Sequence, residues 1–486
     1  MVNEGFLAID AGSGSVKTFL VNPRGVIIRR SEINWNRETW TAETGWAMIV
    51  NALKKLEIAS SSFNIHGISV TSMREKFILI DDKQNEIKYH LSSESRAHGE
   101  KTLERYGTQM YDESGHWPVP NWIPGAILPW VNEMHSESMK STRYVLMLSD
   151  WVNHKLTGEA CTDGTSACET ALFDVRNNDW SWGIIDELNL PNSIFPEVKF
   201  NSYRIGEITE KIAQITGLPH GTPVFMGGAD TQCGLLGMGT KENEVAAVGG
   251  TTTPVQMITG SPVFDGKRRT WTNNHVKGKE WILESNAGYT GRAVRWAMNE
   301  HGFSDYQQLN REAESIPIGS NGVLSYLGCH LFDSGPTYWE MDQLGDLPVP
   351  QTVTGKEVYN RAEVARAILE SNSYAVKGNM EQLEEISGAE FEFLKFCGGN
   401  SKSDLWMQIQ ADVLGIPVEI PETRDGTAIG TAILAAVGSG YYGSTDDAVS
   451  MMVRFREPVT PNEERHREYS KQYQIWLETR KHISKR

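Results

Sequence analysis

Two short turns in this chain have the composition to grip a phosphate group: AGSGS at 11–15 and GGTTT at 249–253. Small residues let a backbone approach a ligand closely, and backbone N–H groups beside Ser or Thr hydroxyls supply donors for phosphate oxygens. In the first turn the donors are Ser13, Gly14 and Ser15; in the second they are Gly250, Thr251 and Thr252. Neither turn is a Walker loop or a dinucleotide fingerprint, because the first runs into a strand and its Gly-x-Gly lacks the later glycine. Gly, Ser and Thr are also ordinary turn residues, so each turn alone reads equally as a plain hairpin. The repetition about half a chain apart carries the meaning, since it implies two related lobes.

Strands must hold these turns in place. β-branched and aromatic residues at 6–10 and 16–21 bracket the first, and those at 245–248 and 255–258 bracket the second. A further candidate is Asp230. The run GTPVFMGG at 221–228 reads as a buried strand, and a polar group directly after it stands where α/β sheets expose chemistry. The bland reading of Asp230 is a helix N-cap. Another glycine turn, CGGNS at 397–401, lies between a strand at 393–396 and an amphipathic helix at 404–414.

A chain of 486 residues exceeds what one core usually covers, so two domains are expected, at 1–244 and 245–486. The net charge of -16 argues against nucleic acid or an anionic membrane as a partner, and an anionic substrate would need local positive charge or a metal ion. Five cysteines without C-x-x-C spacing suit a reduced cytoplasm. The start MVNEGFLAID has neither a basic region nor a long apolar stretch, so no signal peptide or membrane helix is expected and the location is read as cytoplasmic.

Strand-like segments at 27–35, 65–70 and 77–81 alternate with helical ones at 47–57 and 145–156, the pattern of an α/β fold. Pro124 can open a helix with Ile127, Leu128, Trp130 and Val131 on its apolar side. Later come a strand at 281–284, helices at 291–300, 362–387 and 426–437, an irregular stretch at 317–347 and a charged surface helix at 462–486. Trp117, Trp122 and Trp130 read as core, and Lys17 as a solvated edge charge. His275, His301 and His330 read as packed or surface groups without zinc spacing.

Five ordered motifs then point one way: DAGSGSVK at 10–17, SMRE at 72–75, GGADTQCGLLG at 227–237, GGTTTP at 249–254 and FCGGNSKSDLWMQIQADVLGIPVEIPETRDGTAIGTA at 396–432. With them the chain resembles the FGGY family of carbohydrate kinases over nearly its whole length. The resemblance implies two actin-like (ribonuclease-H-like) lobes with ATP and substrate in the cleft between them. It implies transfer of the terminal phosphoryl of ATP to a hydroxyl of a small sugar or polyol, a reaction driven by positioning and charge neutralisation.

By the same resemblance Asp230 is the catalytic base, and Asp10 with Asp230 stands by Mg2+. The two glycine and hydroxyl-rich turns face the ATP phosphates, while Gly398, Gly399, Asn400 and Ser403 lie along the adenosine. Arg74 and Glu75 grip sugar hydroxyls. Within the family, SMREKFILIDDKQNEI resembles the autoinducer-2 kinases, which implies the linear form of 4,5-dihydroxy-2,3-pentanedione as acceptor and a part in quorum sensing. Glycerol kinases share the Arg-Glu pair, so a glycerol kinase or a xylulose-type pentulose kinase stays open. From another class, the same fold serves non-enzymatic ATP-dependent binding or chaperone-like proteins. A base beside a sugar-gripping pair favours the kinase. Oligomeric state is left open between a monomer and a homodimer.

Overall fold

The computed structural model describes residues 3–35, 39–58, 63–329, 352–354 and 358–483. Most of the irregular stretch expected at 317–347, with His330 in it, lies outside the described residues. Two six-stranded sheets organise the chain. The first has the order Arg204–Glu207, Pro223–Ala229, Phe63–Ser72, Asn3–Ala11, Ser15–Val21, Ile27–Asn34. Its central strand, Asn3–Ala11, pairs antiparallel with Ser15–Val21 and parallel with Phe63–Ser72, which in turn runs parallel to Pro223–Ala229.

The second sheet repeats this scheme. Its order is Trp271–Asn274, Trp281–Asn286, Pro254–Thr259, Val245–Gly249, Leu394–Gly398, Val418–Glu419. Val245–Gly249 pairs antiparallel with Pro254–Thr259 and parallel with Leu394–Gly398, which runs parallel to Val418–Glu419. Both phosphate-like turns are therefore the tips of corresponding hairpins at corresponding places in two sheets. The repetition inferred from composition is a repetition of topology.

The first sheet is covered on both faces, as its nearly unbroken apolar strands require. Leu7, Ile9 and Ala11 alternate with Phe6 and Ala8, as a period of two dictates. The former pack with Ile49 and Leu53 of the helix Ala42–Lys54. The latter pack with Ile429, Ala432 and Ala436 of the helix Gly426–Gly438, which comes from the far end of the sequence. That helix also crosses Asp230–Gly237 at backbone contact. A Cβ added at Gly237 would lie 1.8 Å from Gly426 O, and one at Gly430 1.8 Å from Cys233 O, so only glycine fits at the crossing.

Two expectations need correction. Residues read as the start of one helix at 145–156 include the strand Tyr144–Met147, which pairs with Phe77–Ile80, and the helix Leu148–Thr157 follows. Its length suited one helix, but Val145, Leu146 and Met147 are buried edge-to-edge with Phe77–Ile80 instead. The terminal helix Glu463–Ile483 is not wholly a surface helix. Its Tyr469, Tyr473 and Trp476 are buried, with Trp476 stacked 5.1 Å from Tyr326. Among the described residues no helix is long and apolar enough to cross a membrane.

Candidate active site

Asp230 leaves the first sheet at the end of Pro223–Ala229 and is the first residue of the helix Asp230–Gly237. It is not the N-cap that a bland reading suggests: Ala229 holds that position without a side-chain cap bond. Burial raises the Asp230 carboxyl, Arg74 opposes, and Asp10 and Glu284 add to the rise, leaving it pushed up to about 6.

Arg74 and Glu75 form the turn after Phe63–Ser72. Lys76 N donates to Arg74 O at 2.8 Å, and Glu75 is held at φ 65°. A left-handed non-glycine residue costs about 1–3 kcal/mol, a strain found most often at functional sites. The Arg74 guanidinium donates from Nη1 and Nη2 to Glu284 Oε2 and Oε1 at 2.7 and 3.0 Å, and from Nη1 to Glu169 Oε1 at 3.3 Å. It also lies 5.7 Å from the Trp271 ring centre. Burial works against its charge, but Glu169, Glu284 and Glu75 more than offset this and keep Arg74 protonated.

Strand register explains the far side. In Trp281–Asn286, Glu284 is directly opposite Gln256 on one neighbouring strand and Trp271 on the other. A row of side chains thus crosses the second sheet and meets Arg74 of the first half. Gln256 Nε2 donates to Glu284 Oε2 at 2.7 Å, fixing that carboxylate from behind. Glu169 closes the short helix Gly164–Cys168, and His116 follows Gly115, the left-handed cap of Ser93–Ser114. His116 Nε2 is 2.7 Å from Asn273 Oδ1, and its ring is centred 4.5 Å from that of Trp271.

Burial drives the His116 pKa down to about 3, with Arg74 adding to the fall against the Asn273 hydrogen bond. Burial also lifts Glu169 well above the usual carboxylate range; Arg74 opposes, while Glu75, Glu284 and Asp230 add. His116 Nδ1, Glu169 Oε2, Gln256 Oε1 and Asn273 Nδ2 are all buried without a hydrogen-bond partner. An unsatisfied buried polar atom costs about 1–3 kcal/mol. Such a cluster is costly to a protein that has nothing to bind there.

The donor-side residues are built differently. Asp10 sits opposite Lys17 in the hairpin register, and Lys17 Nζ reaches to 3.9 Å from its Oδ2. The solvated edge charge expected of Lys17 is thus corrected: the side chain turns toward a buried acid. Burial raises Asp10, Lys17 opposes, and Asp425 and Glu32 add. Ser15 Oγ donates to Glu32 Oε1 at 3.0 Å, whereas a Cβ on exposed Gly14 would meet nothing within 4 Å. Ser13 is half-buried. Arg30 joins Glu32 at 2.9 Å to Asp425 at 3.2 Å, linking Ile27–Asn34 to the start of Gly426–Gly438.

In the second sheet Gly249 pairs with Gly398. Gly398 has φ 92°, and a Cβ there would lie 2.4 Å from Gly249 O, so no other residue fits. Asn400 Nδ2 donates to Gly250 O at 3.3 Å, tying the two glycine turns together. Gly250 and Gly399 are exposed, and Thr251 and Thr252 are half-buried beside them. Ser403 caps Asp404–Leu414, accepting from Trp406 N at 3.1 Å and donating to Asn310 Oδ1 at 3.0 Å, so its hydroxyl serves the fold.

The structure therefore brings Arg74 within electrostatic reach of Asp230 and joins the 249–252 turn to the 398–400 turn. Sequence reading missed Glu169, Glu284, His116, Gln256 and Asn273 in the cluster around Arg74, and Arg30, Glu32 and Asp425 near Asp10. One signal was present: WILES and GTSACE each place a lone acid in an apolar or small-residue run, and acids are almost never fully buried unless paired. Among the described residues no three His, Cys, Asp or Glu side chains converge to hold a metal ion. Trp117 and Trp130 are core residues, as expected, while Trp122 packs 6.1 Å from Trp271.

Twin sheets of one topology, joined by a polar side-chain cluster around Arg74 and Glu284, define the actin-like two-lobed class. Gluconate kinase from Lactobacillus acidophilus shares the fold with a TM-score of 0.85 at 16% identity, over 99% of this chain and 98% of that one. Glycerol kinase from Plasmodium falciparum, solved with ADP, shares it with a TM-score of 0.83 at 18% identity, over 98% of each chain. Residues 6–237 match the N-terminal domain of the FGGY family of carbohydrate kinases, and residues 245–439 its C-terminal domain. The chain belongs to the FGGY family of carbohydrate kinases, phosphotransferases with an alcohol group as acceptor. Autoinducer-2 kinases from Enterobacter sp. (strain 638) and Escherichia coli (strain K12) are 28% and 27% identical to it, each alignment covering 97% of this chain and 93% of the relative.

Proposed function

We propose that this protein transfers the terminal phosphoryl of ATP to a hydroxyl of a small linear sugar-like acceptor, with 4,5-dihydroxy-2,3-pentanedione the first candidate. The observation that carries this reading is the Asp230 carboxyl at the end of a sheet strand, pushed up to about 6 and within reach of Arg74, Asp10 and Glu284. Such a base is ionised at neutral pH yet basic enough to take the proton of an attacking hydroxyl. Arg74 and Glu75 contact the other oxygens of the acceptor. Glu169 and Glu284 behind Arg74 keep it charged and aimed.

On the donor side, Ser13, Gly14, Ser15, Gly250, Thr251 and Thr252 offer hydroxyl and backbone donors to the phosphates. Gly398, Gly399, Asn400 and Ser403 flank the adenosine, with Ser403 acting through the helix it caps. Asp10 and Asp230 fit Mg2+, which takes one or two carboxylates plus water and phosphate oxygens and needs no all-protein cage. When bound, Mg2+ neutralises charge on the terminal phosphates. The raised Asp10 carboxyl is one that a cation would favour in its ionised form. The lobes divide at 1–244 and 245–486 in this reading, and free thiols at all five cysteines support a cytoplasmic setting.

The choice of acceptor rests on the autoinducer-2 kinase relatives. An ADP-release assay with Mg-ATP and dihydroxypentanedione, D-xylulose or glycerol tests it. Turnover is expected to be fastest with dihydroxypentanedione. A higher kcat/KM with either other acceptor would reassign the substrate, and no turnover with any of them would sink the reading.

A further inference from the structure

A ring of side chains closes between the two halves of the molecule. Arg74 Nη1 donates to Glu284 Oε2 at 2.7 Å and to Glu169 Oε1 at 3.3 Å. Gln256 Nε2 donates to the same Glu284 oxygen at 2.7 Å and to Thr231 Oγ1 at 3.5 Å. Thr231 Oγ1 then donates to Gln232 Oε1 at 2.7 Å, and Gln232 Nε2 returns to Glu169 Oε1 at 3.5 Å. Each N–H and O–H of the circuit meets an oxygen, and both acids serve only as acceptors, as ionised carboxylates paired with an arginine do. Apart from Arg74, its members are buried.

Arg74, Glu169, Thr231 and Gln232 come from the domain matched at 6–237, Gln256 and Glu284 from the domain matched at 245–439. Two bonds therefore cross the boundary, Arg74 to Glu284 and Gln256 to Thr231. Gln256 makes one of them and steadies the other. By its place in the chain this residue belongs to the phosphate side, because Pro254–Thr259 is the strand that leaves the glycine turn. By its side chain it belongs to the acceptor side. It holds Glu284, whose two oxygens grip Arg74, and it reaches Thr231, whose N–H donates to Asp230 Oδ1 at 2.8 Å. Turning its amide over would set a carbonyl against the Glu284 carboxylate, so one orientation serves both bonds.

Resting on the acceptor-kinase reading above, we propose that Gln256 is a positioning residue for the acceptor site: from the strand behind the phosphate turn it fixes Glu284 and thereby the direction of Arg74. Its loss is felt at the ligand that its place in the chain does not suggest.

The test is calorimetric binding to the wild-type protein, Gln256→Met, Gln256→Glu, Glu284→Gln and the double variant Gln256→Met with Glu284→Gln. Dihydroxypentanedione, D-xylulose and glycerol are titrated without nucleotide, and a non-hydrolysable ATP analogue without acceptor; circular dichroism checks that each variant is folded. Gln256→Met keeps the volume but removes the N–H donors. It should weaken the best acceptor about tenfold, the value of one hydrogen bond of about 1.4 kcal/mol, and leave ATP-analogue affinity within about twofold. Gln256→Glu sets a second carboxylate against Glu284 and should weaken the acceptor further. The double variant should bind acceptor no more weakly than Glu284→Gln alone, because a residue that acts through another adds nothing once that partner is changed. In protein with nitrogen-labelled arginine, the Nη resonances of Arg74 should shift in Gln256→Met.

Wild-type acceptor affinity in a folded Gln256→Met or Gln256→Glu would overturn the proposal. So would an ATP-analogue loss as large as the acceptor loss, the mark of a residue that merely shapes the turn before it, and so would additive losses in the double variant. Acceptor binding that depends on Gln256 without any phosphoryl transfer from Mg-ATP would leave the positioning role standing and remove the kinase reading. A wild-type protein that binds none of the three acceptors would overturn both.

Discussion

The two glycine turns and the Arg74 cluster, which the proposed function gives to ATP and to the acceptor, are built in opposite ways. The turns are backbone structures: Gly14, Gly250 and Gly399 are exposed, and the space beside them is open. The cluster is a side-chain structure in which Glu169, Glu284, His116, Gln256 and Asn273 are buried around a half-buried Arg74 and joined by charge or hydrogen bonds. Where the space is open, as at Gly14, Gly250 and Gly399, a backbone site can be changed with little damage to the fold, though not at Gly249 or Gly398. A buried network cannot, because each member holds another in its charge state and place.

The largest expected effect lies where the chemistry of the cluster meets the reacting hydroxyl. Asp230→Asn should lower kcat by about 10²–10⁴ while ATP-analogue affinity stays near that of the wild type. Near-normal turnover would remove Asp230 from the mechanism and make the cluster a purely structural feature. Next is Arg74→Ala, which strands Glu284 and Glu169 without their cation. Removing one partner of a buried pair costs about 3–5 kcal/mol of stability, so thermal unfolding should shift markedly and acceptor KM rise more than ATP KM. An equal loss for both ligands would dissolve the contrast between the two regions.

The pH profile gives a smaller and more specific effect. Asp230 must be ionised to act as a base, so kcat/KM for the acceptor should be flat above about 6 and fall about tenfold per unit below it. An acid limb near the ordinary aspartate value would show that burial does not tune this group. The smallest effect is expected from Gly250→Ala. The nearest atom to the added Cβ is Thr252 O at 3.9 Å, so stability should change by less than about 0.5 kcal/mol. Only ATP KM should rise, by a few-fold; a shift in acceptor KM instead would move this turn to the wrong ligand.

The same contrast explains what was legible in the sequence. A glycine turn between two strands is local, and its meaning is written in consecutive residues such as Gly249, Gly250, Thr251 and Thr252. Both hairpins, the strand before Asp230 and the long helix Arg361–Ser387 were therefore readable from composition and period. Glu284 meets Arg74 across 210 residues, and Glu169 meets it across 95. No local pattern encodes such meetings; they follow from strand register in one sheet and from a helix end in the other half. Asp230 was found because it follows a buried strand, and Arg74 through the resemblance carried by SMRE, whereas His116 and Gln256 lacked either sign. Ser403 shows the reverse limit, since a hydroxyl in a suggestive turn is taken up by a helix cap.

The helix Gly426–Gly438 has one more consequence. It is encoded near the end of the chain, yet Phe6, Ala8, Phe19 and Val21 are sealed beneath it. A duplicated topology invites the thought of two autonomous modules, but the later copy supplies the roof of the earlier one. Severed after residue 244, the leading fragment would expose that apolar face and aggregate, and the trailing fragment would carry an apolar helix with nowhere to dock. Supplied together, the fragments should complement each other, because what the first lacks the second already holds in finished form.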